Sequence, residues 1–156
     1  MNNEALINEL ETKFSELKKE LKLKVGLKEL DEIFFIKDTI LQNRFVSESL
    51  DKQIATRIVS TYMSWNNYLH GLIFPNPGNM INMAESKIFN EDEKNKMNNL
   101  VSKAMGLVSK NSLIGISKDK TEEAKFFEES VRLWNEIYKP GIEKIIKKVM
   151  SNWSKE

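Results

Sequence analysis

His70 is the residue with the clearest capacity for chemistry, because it is the only histidine in the 156-residue chain. Histidine titrates near neutral pH and serves as a general base or a metal ligand. A metal site on a helix needs a second ligand three or four residues away, but positions 66 and 67 are asparagine and positions 73 and 74 are isoleucine and phenylalanine. This spacing excludes the ferritin-like di-iron and zincin patterns, so we predict no metal site.

Two asparagines, Asn66 and Asn67, interrupt the apolar face of the same stretch. Asparagine inside a helix lowers its stability unless the side chain finds a partner. One interpretation is a polar pocket for a small ligand, formed by Asn66, Asn67, Tyr68, His70 and Arg57. The other is structural: one asparagine is buried and hydrogen-bonded, the other faces solvent, and His70 lines the end of a helix.

The stretch Trp65 to Gly71 has the sequence WNNYLHG. It resembles the R-N-x-x-x-H motif of HEPN-domain ribonucleases at Asn66, His70 and Gly71. It departs from the motif at Trp65, where the family has an arginine that helps to bind the scissile phosphate. The resemblance implies a small helical bundle that binds RNA or a nucleotide without cleaving it.

Lysines form two basic runs, one near each end of the chain. The first contains Lys18, Lys19, Lys22, Lys24 and Lys28, of which the first four are the predicted basic surface. The second contains Lys139, Lys144, Lys147 and Lys148. Such runs suit contact with an anionic membrane surface, RNA or an acidic partner. The alternative is a solvated face, because the net charge of the whole chain is only +1. Only three of the 24 basic residues are arginine, which counts against a dedicated nucleic-acid binder.

Composition narrows the function classes further. The absence of cysteine excludes disulfides, thiolate metal sites and cysteine nucleophiles. We find no phosphate-binding loop and no acid–base pair at a diagnostic spacing, so we assign no catalytic residue and no cofactor. The first residues are acidic where a signal peptide needs positive charge, and the longest aliphatic and aromatic run, Ile33 to Ile36, is too short to span a membrane. We therefore expect a soluble, cytoplasmic protein.

Hydrophobic periodicity predicts helices that position these residues. A first amphipathic helix covers Asn3 to Leu23. The alternating stretch Leu21 to Lys28 is either a helix end, with Gly26 as a left-handed C-cap, or a strand. A second helix, Lys28 to Asn43, is apolar around most of its circumference, which is typical of a central helix or an oligomer interface.

The third predicted helix, Ser49 to Leu72, carries the chemically interesting residues and organises the fold. Its start is capped by Ser47 or Ser49, and it stops before the breaker Pro75-Asn76-Pro77-Gly78. The stripe on one of its faces is wide enough to contact at least two neighbouring helices. Its members are Leu50, Ile54, Ile58, Tyr62, Trp65, Leu69 and Leu72.

The second half of the chain is also predicted to be helical. A short helix covers Met80 to Phe89, and Asn90 with Glu93 forms a capping box for a helix that stops near Lys110. Residues 111–120 are an irregular link. The final apolar stripe keeps its phase through Pro140, which predicts one helix kinked there.

Together these patterns predict an all-α, antiparallel helical bundle of four to six helices in a single domain, residues 1–156. The leading hypothesis is a small interaction or scaffold protein without catalytic activity, acting with a protein partner or as a homodimer. The alternative is a module that binds a nucleotide, RNA or a small ligand near Asn66, Asn67 and His70.

Overall fold

A computed structural model describes residues 2–155, and none of these residues lies in a strand. The all-α prediction is confirmed. The described residues form eight α-helices and one π-helical turn, more segments than the four to six expected. The helices are α1 (Asn3–Leu21), α2 (Leu27–Phe34), α3 (Ile36–Asn43), α4 (Leu50–Ile73), α5 (Met80–Ser86), α6 (Glu91–Ser117), α7 (Lys120–Leu133) and α8 (Lys139–Trp153), with the π-turn at Trp134–Tyr138.

Contacts between residues group the chain into two compact units. Unit 1 comprises Met1–Thr61 and Leu107–Arg132, and unit 2 comprises Tyr62–Gly106 and Leu133–Glu156. Helices α4 and α6 contribute residues to both units. The expectation of a single domain and the antiparallel arrangement stay predictions.

Unit 1 begins with α1, whose first turn is capped by Asn2: the Ala5 N–H donates to Asn2 Oδ1 at 2.8 Å. The helix ends at Leu21, and Lys22 adopts the left-handed conformation with φ 56°. The prediction that Gly26 is the left-handed C-cap is wrong. Gly26 has φ −101° and starts α2, where its N–H donates to Glu29 Oε1 at 3.2 Å. The α1 side chains on the core side are all buried: Leu6, Leu10, Phe14, Leu17 and Leu21.

The alternating stretch between α1 and α2 is not a strand. Leu23 and Val25 are buried while Lys22 and Lys24 are exposed, so the alternation in the sequence is a true burial pattern. A short connection that lies along a core can point alternate side chains inward without a sheet partner. The alternation of apolar and polar residues therefore predicted correctly which side chains are buried, but it did not show whether the backbone is a strand or a loop.

Phe35 divides the predicted second helix into α2 and α3. It has φ 55°, and its side chain is about half exposed. Residues other than glycine and asparagine seldom adopt this conformation, which is why the sequence pattern did not indicate a break here. Two hydrogen bonds satisfy the broken ends: Arg57 Nε donates to the Phe34 carbonyl at 2.7 Å, and the Lys37 N–H donates to Asp31 Oδ1 at 2.8 Å. Helix α3 packs against both α1 and α2.

Helix α4 runs from Leu50 to Ile73, within one residue of the prediction at each end. At its start the Ser49 carbonyl accepts from the Lys52 and Gln53 N–H groups. The predicted stripe is buried in both units except for Trp65, which is half-buried. The buried members are Leu50, Ile54, Ile58, Tyr62, Leu69 and Leu72.

Helix α6 starts as predicted and ends later than predicted. The capping box is confirmed, because the Glu93 N–H donates to Asn90 Oδ1 at 2.8 Å and the Asn90 N–H donates to Glu93 Oε1 at 3.0 Å. The irregular link at residues 111–120 is wrong, since α6 continues to Ser117 and Lys118 ends it with φ 58°. Burial of Ile114 holds this extra length against the core.

The final stretch is helical from Lys120 to Trp153, as expected for one continuous helix. Immediately before Pro140 it widens into the π-turn, where the Lys139 N–H donates to the Trp134 carbonyl five residues back. Proline has no N–H, so the helix lacks one backbone hydrogen bond at Pro140 in any case. A wider turn is tolerated here because it disturbs the helical hydrogen bonds at a point where one of them is already missing. The kink at Pro140 stays a prediction.

Candidate functional site

Asn66 lies in a buried hydrogen-bond network of unit 2. Its side chain is enclosed, with a residue exposure of 4%. The Tyr138 hydroxyl donates to Asn66 Oδ1 at 2.6 Å, and Asn66 Nδ2 donates to the Val101 carbonyl at 3.4 Å. Both ends of the amide are used inside the protein, which is the structural alternative raised by the sequence.

An aromatic cluster surrounds this network. Tyr138 stacks on Trp134 with ring centroids 5.7 Å apart, and the Tyr62 ring meets Tyr138 edge-on at 5.1 Å. Burial raises the pKa of both tyrosines well above the ordinary value, so their hydroxyls remain protonated donors. Trp134 and Tyr138, four residues apart, are the first and last residues of the π-turn, and both belong to the cluster.

Asn67 and His70 are exposed. The His70 ring contacts the Phe74 ring at 5.2 Å between centroids. Asn66 and His70, which carry the HEPN resemblance, thus have opposite environments, one buried and one exposed. Arg57 belongs to unit 1, where it caps α2 through the Phe34 carbonyl.

Tyr68 takes part in a clamp on the Glu85 carboxylate. The Tyr68 hydroxyl donates to Glu85 Oε1 at 3.3 Å, and Trp153 Nε1 donates to Glu85 Oε2 at 2.8 Å. Burial and the Glu85 charge raise the pKa of Tyr68 to about 12. The clamp joins α4, α5 and α8, and neither Glu85 nor Trp153 carries a sequence signal for this role.

The predicted basic surface is exposed as expected of charged side chains. Within residues 2–155 its four lysines form no ion pair. Their role in binding stays a prediction. The members are Lys18, Lys19, Lys22 and Lys24.

Unit 1 contains a pair of carboxyl groups, Asp51 and Glu123, that was not predicted from the sequence. Glu123 on α7 faces Asp51 in the first turn of α4, and its Oε1 atom is buried without a hydrogen-bond partner. The Lys120 ammonium lies 3.9 Å from that oxygen and 3.5 Å from Glu20 Oε1. Burial, then the Asp51 charge, raises the pKa of Glu123 to about 7. No spacing rule connects residues so distant in sequence.

The turn between α4 and α5 and the first residues of α5 present apolar side chains to solvent. Phe74, Met80 and Ile81 are 66%, 87% and 65% exposed, and we call these three residues the apolar tip. Asn82 holds the turn in place: its Nδ2 donates to the Gly71 carbonyl at 2.9 Å, and its Oδ1 accepts from the Asn76 N–H. These two hydrogen bonds fix the conformation of the turn that precedes α5 in unit 2.

A groove of about 410 Å³ lies between α6 and α8 in unit 2. Its floor is apolar and consists of Phe89, Met97, Leu100 and Ile145. Its rim is charged and consists of Lys96, Lys144, Lys148 and Glu93. We call it the lysine-rimmed groove. Two lysines of the second basic run, Lys144 and Lys148, lie on its rim, but no sequence pattern indicated the apolar floor beside them.

Comparison with known proteins returned nothing: no family model, curated protein or solved structure matches the chain. Across residues 2–155, histidines and carboxylates form no group of three or more that could hold a metal ion. Among the helices of the same residues, none combines the length and apolarity needed to cross a membrane.

Proposed function

We propose that the protein is a helical interaction protein without catalytic activity that acts as a homodimer in the cytoplasm. The observation that carries this proposal is the apolar tip. Phe74, just after α4, and Met80 and Ile81, at the start of α5, are each more than 60% exposed. Exposed apolar side chains that are grouped in this way mark interaction sites. Burying them against protein recovers roughly 25 cal/mol for each Å² of apolar area removed from water.

Charge favours a second copy of the chain as the occupant. The sequence from Gly71 to Ala84 contains no Asp, Glu, Lys or Arg. In a twofold interface each patch meets itself, so any charge on the patch would face its own copy. An uncharged patch brings no like charges together, which removes the usual electrostatic obstacle to self-association.

The homodimer was first suggested by the broad apolar faces of the second and third predicted helices. In the structure those faces are largely covered within the chain, since Leu30, Phe34, Ile40, Ile54 and Ile58 are each 1% exposed or less. The support for a dimer therefore moves to the apolar tip. The nucleotide- or RNA-binding alternative stays a prediction. The Asn66 amide on which it relied bonds to Tyr138 and Val101 inside the protein, which counts against a contact from Asn66 to a ligand.

Sedimentation equilibrium tests the proposal. We expect the wild-type chain to show a concentration-dependent monomer–dimer equilibrium, and the Phe74→Asp and Met80→Asp variants to be monomeric over the same range. Each substitution places a carboxylate against its own copy at the centre of the contact, where an unpaired charge is costly. Circular dichroism confirms that the exposed substitutions leave the helices intact.

Ile116→Asp is the matched control, because Ile116 is 81% exposed but belongs to unit 1 and is not one of the three tip residues. It should dimerise like the wild type. A wild-type chain that stays monomeric at every concentration, or tip variants that dimerise as strongly as the wild type, would contradict the proposal.

A further inference from the structure

The lysine-rimmed groove has the dimensions of a small-molecule site. Its volume of about 410 Å³ lies within the roughly 300–1,000 Å³ typical of ligand pockets. The four floor residues are aliphatic, aromatic or thioether side chains, so the floor offers dispersion contacts and no hydrogen bond. Methionine in such a floor adapts its rotamers to the shape of the occupant.

Gly141 shapes the groove at the point where α8 approaches α6. A Cβ atom at this position would lie 2.7 Å from Leu100 Cδ1, closer than two carbons can approach. The missing side chain lets the two helices draw together here. Gly141 itself lines the groove, with its backbone against the apolar floor.

The charges on the rim are unequally engaged. Lys148 Nζ lies 2.6 Å from Glu93 Oε2 and 5.3 Å from the centre of the Phe89 ring. The hydrogen bond from Lys148, and then the Asn90 N–H, lowers the pKa of Glu93, so this carboxylate stays ionised and pairs with the Lys148 charge. Lys96 has only a loose, exposed partner, Asp92, at 3.6 Å.

Lys144 is different, because it forms no ion pair with any residue between 2 and 155. It is exposed, and it stands at the rim of an apolar floor. An ammonium group in this position attracts an anion whose remaining surface is apolar. The rim as a whole, with three lysines and one glutamate, has a formal charge of +2 (3 − 1).

We propose that the lysine-rimmed groove binds an amphipathic anion of the fatty-acid type, a single carboxylate on an unbranched alkyl chain. The carboxylate pairs with Lys144, and the chain lies along the floor between α6 and α8. A slot between two helices suits an unbranched chain, and a floor without polar groups discriminates against sugars, nucleotides and other polar ligands. This inference does not depend on the homodimer, since the groove and the apolar tip consist of different residues.

Three ligands with the same tail and different heads test the charge preference. Decanoate, decanol and decyltrimethylammonium are titrated below their micellar concentrations, with binding followed by the methyl NMR signals of Met97 and Ile145. We expect decanoate to bind most tightly, decanol more weakly and decyltrimethylammonium most weakly. Equal affinities for the three, or shifts confined to signals outside the groove, would overturn the proposal.

Lys144→Glu and Lys147→Glu form a matched pair, because both reverse one exposed charge on α8 but only Lys144 lines the groove. Lys144→Glu should weaken decanoate binding about tenfold or more and leave decanol unchanged, as expected for loss of one charge-assisted contact. Lys147→Glu should change decanoate binding by less than about threefold, since a distant exposed charge is screened. Equal weakening by both variants would show general attraction to a basic helix and would contradict a specific site.

Ile145→Phe tests the apolar floor separately by filling it. Binding of both decanoate and decanol should be lost, while the circular dichroism spectrum is unchanged. Undiminished binding of both ligands by a folded Ile145→Phe variant would place them elsewhere. If this variant does not fold, the comparison of Lys144→Glu with Lys147→Glu still decides the question.

Discussion

Replacing Asn66 with alanine is expected to lower the free energy of unfolding by about 2–3 kcal/mol, because it leaves the buried Tyr138 hydroxyl without its acceptor and removes the side-chain hydrogen bond to the Val101 carbonyl. The penalty arises from desolvated groups that water cannot reach, and the space left by the amide adds to it. Urea denaturation followed by circular dichroism measures the change.

Asn67→Ala is the control for Asn66→Ala, since its neighbour Asn67 is exposed. It should change stability by less than about 0.5 kcal/mol. Tyr138→Phe completes a double-mutant cycle: once the hydroxyl is gone, Asn66→Ala should cost less than it does alone, by about 1 kcal/mol or more. Strict additivity of the two changes would mean that the 2.6 Å hydrogen bond contributes nothing.

Glu123→Gln is expected to stabilise the protein above pH 7 and to have little effect near pH 4. The folded-state pKa of Glu123, about 7, lies above its ordinary value of 4.5. Between these values the folded chain holds a proton that the unfolded chain has released, so wild-type stability falls as pH rises through this window. Glutamine cannot ionise beside Asp51 and Glu20, and it avoids this loss, which is at most about 3 kcal/mol at 1.36 kcal/mol for each pKa unit.

Denaturation of the wild type and Glu123→Gln at a series of pH values between 4 and 9 measures this difference. Glu122→Gln is the matched control on the same turn, because hydrogen bonds from Lys125 and Lys110 lower the pKa of Glu122. Its pH dependence should have the opposite sign. A Glu123→Gln effect that is the same at all pH values would show that Glu123 is already ionised in the folded protein near neutral pH.

The sequence predicted most helices because apolar residues recur with helical period, and this signal is strongest where a long stripe is buried. Helix α4 is the clearest case, with both ends within one residue. The capping box at Asn90 and Glu93 was also predictable, since it depends only on residues three apart. The sequence is therefore enough to predict a helix or a cap when the contacts that determine it join residues close together in the chain.

The errors occur where contacts distant in sequence override local preference. The break at Phe35 is supported by Arg57, more than twenty residues further on. The end of α6 was placed too early because Lys110 and Asn111 resemble a helix terminus, whereas Lys110 pairs with Glu129 on α7 at 3.1 Å. Neither partner is visible from the local pattern.

The same reason explains what the sequence revealed about the candidate sites. It directed attention to Asn66, and the structure shows that this residue is unusual for a structural reason. The lysine-rimmed groove combines Met97 and Ile145 from two helices, and the carboxyl pair combines Asp51 and Glu123. Both are products of tertiary packing, which no motif of consecutive residues encodes.

The residues in the left-handed conformation at the helix ends are targets for raising the thermal stability of the protein. Lys22, Phe35, Arg44 and Lys118 all have positive φ, while none of the six glycines does. Each holds a conformation that costs an L-residue roughly 1–2 kcal/mol and costs glycine almost nothing. Lys22 and Lys118, whose side chains form no ion pair within residues 2–155, are therefore positions of unit 1 where exchange for glycine is expected to raise the melting temperature without changing a residue of the apolar tip or the groove. At Arg44 the same exchange would also remove the hydrogen bond to Asn3 Oδ1.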